Sequence, residues 1–237
     1  SGLLISLLIF LALQAPKQYI IRKRSSLSFR YIFKTKSLWF IAFYAGIMVG
    51  TVVNALAELY GVIFLQQTNG ISSEAASIIN SMAFVGIAVG GPLHGFIARQ
   101  FQNKRHWMLI ANAVTTGLFS LLAFVPIFTF PAWSLYLLYF LIGFFVSSML
   151  LSFGIIRSHY PKENHASIFA FINMIIALCG AFFQLLFGNE LALVKPLFSH
   201  GAQNITFSIG ILILIIPLLF SWYFCHKIKK AIFLLPA

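Results

Sequence analysis

Four glutamates are the only acids in this chain, which contains no aspartate, and one of them lies deep inside an apolar stretch. Glu58 ends the pattern Gly46-x-x-x-Gly50-x-x-x-Asn54-x-x-x-Glu58, continued by Gly61. At ~100° per residue these positions share one helix face about 120° wide. A carboxyl group in hydrocarbon is costly as an anion, so on a small, polar face it is suited to taking up and releasing a proton. The other reading of Glu58 is a hydrogen-bonded structural acid, or one solvated near the membrane surface. Glu74, Glu163 and Glu190 fall on other segments, so paired-carboxylate catalysis is not expected. No His or Cys spacing suits a metal, and Gly90-Gly91-Pro92 is followed by no phosphate-loop lysine. The chain therefore reads as a non-enzyme with no catalytic residues, metal or cofactor.

Three further stripes carry polar groups. Ser77, Asn80, Phe84, Gly91, His94 and Gly95 align on one segment, Tyr136, Tyr139, Gly143, Ser147 and Gly154 on another, and Asn173, Ala177, Gly180 and Gln184 on a third. Small residues at four-residue spacing let transmembrane helices approach closely, which accounts for the glycines. The polar members either bond a neighbouring helix or face a solute. Together with Glu58 and Asn54, the candidate substrate and proton pathway is Asn80, Tyr136, Tyr139, Ser147, Asn173 and Gln184. His94 is expected near the membrane surface, against headgroups or the following loop.

The elements that must position these residues are membrane-spanning helices. Composition is 60% hydrophobic and 8% charged with a mean hydropathy of +0.95, too apolar for a soluble surface. Except for Lys195, every Lys and Arg falls within Lys17 to Lys36, Arg99 to Arg105, Arg157 to Lys162 or Lys227 to Lys230. Lys- and Arg-rich loops stay cytoplasmic, so these four are inside, and Gln66 to Glu74, Pro126 to Trp133 and Glu190 to Asn204 are outside. The net charge of +12 is thus a topology signal rather than a nucleic-acid surface.

Between alternating loops the sequence predicts six crossings, about Leu38 to Leu65, Ala75 to Ala98, Trp107 to Val125, Ser134 to Ile156, Ser167 to Gly188 and Ile205 to Phe224. Helix is the state that pairs every backbone group within one segment. Trp39, Trp107, Trp133 and Trp222 fall near helix ends as interfacial anchors, and Cys179 and Cys225 read as separate buried thiols. Ser1 to Leu13 is apolar but too short to span, and reads as the end of a transmembrane helix that begins upstream. The expected organisation is a truncated helix over 1–15, a basic cytoplasmic linker over 16–37, a six-helix bundle over 38–226 and a cytoplasmic tail over 227–237.

Six crossings behind a helix stub and a basic linker resemble the C-terminal half of a major facilitator superfamily transporter. That family carries a G-x-x-x-D-R-x-G-R-R/K loop after the second helix of each half. The corresponding Gly95-Phe-Ile-Ala-Arg99-Gln-Phe-Gln-Asn103-Lys104-Arg105 keeps the first glycine and the basic pair but has Arg99 in place of the acid and Gln102 in place of the second glycine. Arg157, Pro161, Ala166 and Asn173 match a second, weaker pattern at the fifth helix. The resemblance implies an all-α integral membrane fold, pathway-lining first and fourth helices, and a conformational loop at Gly95, Arg99, Lys104 and Arg105. It also implies a partner, the N-terminal six-helix half of the same protein, beside the bilayer, a small-molecule substrate and protons.

The expected function is half of a secondary active transporter that moves a small organic solute by alternating access, coupled to protons, in a bacterial inner membrane with both ends of the fragment cytoplasmic. The alternative is a non-transporting membrane receptor or assembly module of the same fold. With Glu58 the one intramembrane charge and no embedded Lys or Arg, a cationic, zwitterionic or neutral solute suits this half better than a strongly anionic one. The topology is testable by cysteine labelling. Cysteines placed near Asn103 and Lys162 should react with impermeant reagents only from the cytoplasmic side and one at Ala202 only from the opposite side, whereas the reverse pattern would overturn the assignment.

Overall fold

The computed structural model describes residues 29–100, 104–128, 130–194 and 203–232. The expectations for 1–15 and for most of the basic linker lie outside the described residues. A short helix, α1 (Phe29–Lys34), leads at Thr35 into six long ones. These are α2 (Lys36–Asn69), α3 (Ser73–Gln100), α4 (Lys104–Leu122), α5 (Ala132–His159), α6 (His165–Val194) and α7 (Gln203–Ile232). No strand occurs among the described residues.

Helix ends follow local chemistry. Gly70, the one described residue with positive φ (64°), closes α2 in a left-handed cap and donates its N–H to Gln66 O at 3.0 Å. Ser72 Oγ then accepts from Ala75 N–H at 3.2 Å and caps α3. Tyr160, held extended (φ −121°, ψ 148°) before Pro161, stops α5. Several ends differ from the sequence expectation. The fifth crossing continues past Gly188 to Val194, which puts Glu190 inside a helix instead of a loop, because no breaker occurs before Pro196. The sixth continues past Phe224 to Ile232, with Lys227 and its neighbours near the helix C-terminus, where cations are favoured. The third stops earlier, at Leu122, and residues 123–125 tighten into three-residue turns before Pro126.

Five of the six long helices are long and apolar enough to cross a membrane. The sixth, α4, has 19 residues, about 28 Å at 1.5 Å per residue, and carries more polar groups, among them Asn112 and Thr115. Those groups face inward. Asn112 Nδ2 donates to Ser221 Oγ at 2.6 Å, joining α4 to α7 in the buried interior. The outward faces are apolar instead, as in Leu185 and Leu193 of α6, 68% and 72% exposed, the arrangement a lipid solvent favours.

The basic segments meet at one end of the bundle. Ser37, beside Lys36, bonds Tyr160 at 2.8 Å, and Arg105 Nη1 donates to His226 O at 2.8 Å, so the starts of α2 and α4 lie with the ends of α5 and α7. Trp107 Nε1 donates to His94 Nδ1 at 2.8 Å, and His94 Nε2 bonds Phe144 O at 2.7 Å. With its Nδ1 accepting, the imidazole is neutral and donates through Nε2. His94 is fully buried between α3, α4 and α5, which corrects the expectation of a headgroup contact.

The tightest crossing joins α3 and α5, where the backbone itself is the contact surface. A Cβ on Gly86 would collide with Phe140 O and stand 2.7 Å from Phe144 N, and one on Gly143 would collide with Ala83 O. Small residues let the two backbones touch. Replacing Gly143 by Ala should therefore lower the thermal unfolding midpoint of the purified protein, at a cost of roughly 1–3 kcal/mol for an overpacked interior. An unchanged midpoint would contradict the backbone contact.

Candidate functional site

The site is built around a change of winding in α2. Over Gly50–Tyr60 the helix is π-helical, with bonds closing five residues back instead of four. Where such winding returns to α-helix, one carbonyl is skipped. Gly61 N–H bonds Leu56 O, five residues back, and the next carbonyl, Ala57 O, accepts from Asn80 Nδ2 of α3 at 2.7 Å. A second carbonyl inside the segment, Asn54 O, accepts from Gln184 Nε2 of α6 at 3.0 Å. In hydrocarbon an unpaired carbonyl has no water to turn to, so the Asn80 amide stabilises a winding that an isolated helix would not keep, and the Gln184 amide braces the same segment from α6.

The π segment presents Glu58 on the exposed side of α2, beside Leu59 (47% exposed). Asn54 Nδ2 donates to Glu58 Oε2 at 2.7 Å. Asn54 thus joins two groups, with its side-chain amide on Glu58 and its main-chain carbonyl under Gln184. Gly180 makes room for it, since a Cβ there would stand 2.8 Å from Asn54 Oδ1 and 2.9 Å from Asn54 Cγ. Among the described residues Glu58 has no basic partner. A carboxylate with one amide donor and an open side can accept a proton or a cationic group of a solute.

The remainder of the small stripe on α2 does something else. Gly46 and Gly50 do not face a cavity. Added Cβ atoms would lie 2.9 Å from Cys179 Sγ and from the Cys179 carbonyl carbon, so these glycines seat α6 against α2. The glycines fix the distance between the two helices, and Asn54, Glu58 and Gln184 use it.

The other sequence-predicted residues are placed as follows. Asn80 is buried and bonded to α2 as above. Tyr139 is buried on α5 and 1% exposed. Ser147 is buried where α5 meets Gly90 of α3, and its Oγ donates to Phe144 O at 2.7 Å. Tyr136 is half-buried against the core, and Asn173 is exposed on α6. None of these five is hydrogen-bonded to Glu58. In the conformational loop, Gly95 has open space around it, Arg99 is exposed in the last turn of α3, and Lys104 and Arg105 open α4, with Arg105 tied to α7. No cluster of three or more His, Cys or acidic residues occurs among the described residues. The π winding itself escaped the sequence reading, because amide side chains at Asn80 and Gln184 serve equally well in an ordinary helix contact.

This geometry makes Gly180→Ala informative. The added methyl should push the Asn54 amide off Glu58 without touching Glu58, so the Glu58 carboxyl band in infrared difference spectra should move while the protein still folds. An unaltered Glu58 signal would mean that Asn54 does not hold it.

One solved structure gives an independent view of the architecture. The crystal structure of a bacterial homolog of the human lysosomal transporter Spinster, inward-facing and unoccupied, superposes with a TM-score of 0.65 at 14% identity, covering 100% of this chain. The chain spans 59% of that protein's length. No curated protein matches the chain. The sequence pattern of the Major Facilitator Superfamily, however, matches residues 1–184, including the first four long helices and the part of α6 that carries Gly180 and Gln184. A multi-pass helical bundle with apolar outer faces, joined to that match over most of its length, establishes that the chain belongs to the Major Facilitator Superfamily.

Proposed function

We propose that this chain forms one half of a secondary active transporter, which moves a small organic solute by alternating access and uses Glu58 as its proton-responsive group. The observation that carries the reading is Glu58 itself, an acid within an apolar span, open on one side and held by Asn54 on the other. An intramembrane acid is costly, and its usual return is a solute or proton pathway. Gln184 and Asn80 act as positioning residues, since they bond the carbonyls of the π segment. Asn173, Tyr136, Tyr139 and Ser147 belong to the same proposed pathway as residues of the helices packed around it.

The second half of the cavity comes from an N-terminal six-helix bundle of the same protein, and the solute sits between the two halves near the membrane midplane. Two conformations of similar free energy are required, and protonation of Glu58 shifts their balance by removing a charge from one of them. With no Lys or Arg beside Glu58 among the described residues, a cationic, zwitterionic or neutral solute fits this half. The basic end of the bundle faces the cytoplasm of a bacterial inner membrane.

The variant Glu58→Gln tests the reading in proteoliposomes of the complete protein, assayed with a panel of cationic, zwitterionic and neutral solutes under an imposed pH gradient. Gln keeps the shape and the hydrogen bonding with Asn54 but cannot titrate. Gradient-driven accumulation should fall by roughly a hundredfold, the lower end of the range for loss of a positioned proton-transfer group. Exchange of solute down its own gradient should partly survive, because it needs no net proton release. Accumulation equal to that of the parent at all pH values would refute the role of Glu58.

A further inference from the structure

A groove of about 750 Å³ opens on the outer side of α2, between α6 and α7. Its walls are Trp39, Phe43, Phe182, Ile216 and Phe220 among other apolar side chains, with Cys179 on α6, and no charged residue lines it. Along α7 it extends from Ile213 to Phe224, about 17 Å at 1.5 Å per residue, close to half the ~30 Å hydrocarbon core of a bilayer. It therefore has the depth of one leaflet and lies at the basic end of the bundle, where Phe43 stacks on Phe224 with ring centroids 5.4 Å apart.

Each of two walls continues into a lysine. On α2 the stripe Trp39, Phe43, Ile47 extends one turn back to Lys36, and on α7 the stripe Ile216, Phe220, Phe224 extends one turn on to Lys227. The helices run in opposite senses, so both ammonium groups flank the same mouth. Lys36 is exposed, and Lys227 leans over the Tyr223 ring with Nζ 5.2 Å from its centroid. An apolar slot one leaflet deep with two cations at its mouth matches a molecule with a hydrocarbon tail and an anionic head. A second protein segment seated there would need an acidic group of its own at the mouth to pair the two cations.

We propose that the groove holds one acyl chain of an anionic phospholipid, its headgroup phosphate between Lys36 and Lys227. The site is separate from Glu58 and does not depend on its role. Lysine attracts anionic headgroups at a membrane surface, and the slot adds the specificity that a bare basic patch lacks.

The test is photo-crosslinking of the complete protein in vesicles. One preparation contains phosphatidylglycerol with a diazirine in its acyl chain, and a second contains phosphatidylcholine with the same tagged chain. Labelled peptides are identified by mass spectrometry. Labelling of the peptides that carry Leu178, Phe182 and Ile216 should favour phosphatidylglycerol by roughly fivefold for each lysine engaged. The double variant K36Q and K227Q should bring it down to the phosphatidylcholine level. Both lysines lie at helix ends, and the unfolding midpoint checks that the variant folds; should it not, K36Q alone is expected to remove about half of the preference on a logarithmic scale. Equal labelling by the two lipids overturns the proposal. So does a preference that survives the lysine changes, or a groove that crosslinks to another polypeptide segment instead of lipid.

Discussion

Inside a bilayer every backbone carbonyl that loses its helical partner must find another in the protein, and the π segment of α2 leaves one such carbonyl, Ala57 O, while a second, Asn54 O, takes an added side-chain donor. Asn80 from α3 satisfies Ala57 O, and Gln184 from α6 satisfies Asn54 O. These bonds allow the π winding over Gly50–Tyr60 to persist, and that winding sets where Asn54 and Glu58 point. Glu58 is therefore positioned by residues that never touch it. The same bonds tie α2 to α3 and α6, so any motion that rewinds the π segment must disturb all three.

Close packing by glycine prepares these contacts. Gly46 and Gly50 bring α6 near enough for Gln184 to reach across, and Gly180 leaves space for the Asn54 side chain. On the other side, Gly86, Gly90 and Gly143 press α3 and α5 together. The interior polar groups then join neighbouring helices, as in Asn112 with Ser221 and His94 with Trp107. The two kinds of contact depend on each other, because a hydrogen bond between helices has the right length only where the backbones are close.

The six long helices and their order were legible in the sequence, because basic clusters and apolar runs encode them through solvation alone. The continuations to Val194 and Ile232 were not, since polar residues such as Glu190 and Lys227 suggest a loop or tail although they form helix readily when no Gly or Pro intervenes. Glu58 and Asn54 stood out as polar residues in an apolar run, and Gln184 as a polar residue on a parallel stripe. Their joining through a main-chain carbonyl did not, because a backbone acceptor leaves no mark in the residue types. His94 misled for a related reason: its place near a helix end suggested the surface, while both of its partners, Trp107 and a carbonyl of α5, come from distant positions in the chain.

The central proposal is that Glu58 exchanges a proton while Asn54 holds it, and Gln184 holds the Asn54 carbonyl, on the open side of α2. Infrared difference spectroscopy of the reconstituted complete protein, recorded between acid and alkaline buffer, reads this most directly. The account predicts a carboxyl C=O band that appears on acidification, shifts when Gln184 is replaced by Leu, and is absent in Glu58→Gln. A spectrum in which no titrating carboxyl band is lost with Glu58, or in which its band ignores the change at Gln184, would contradict it.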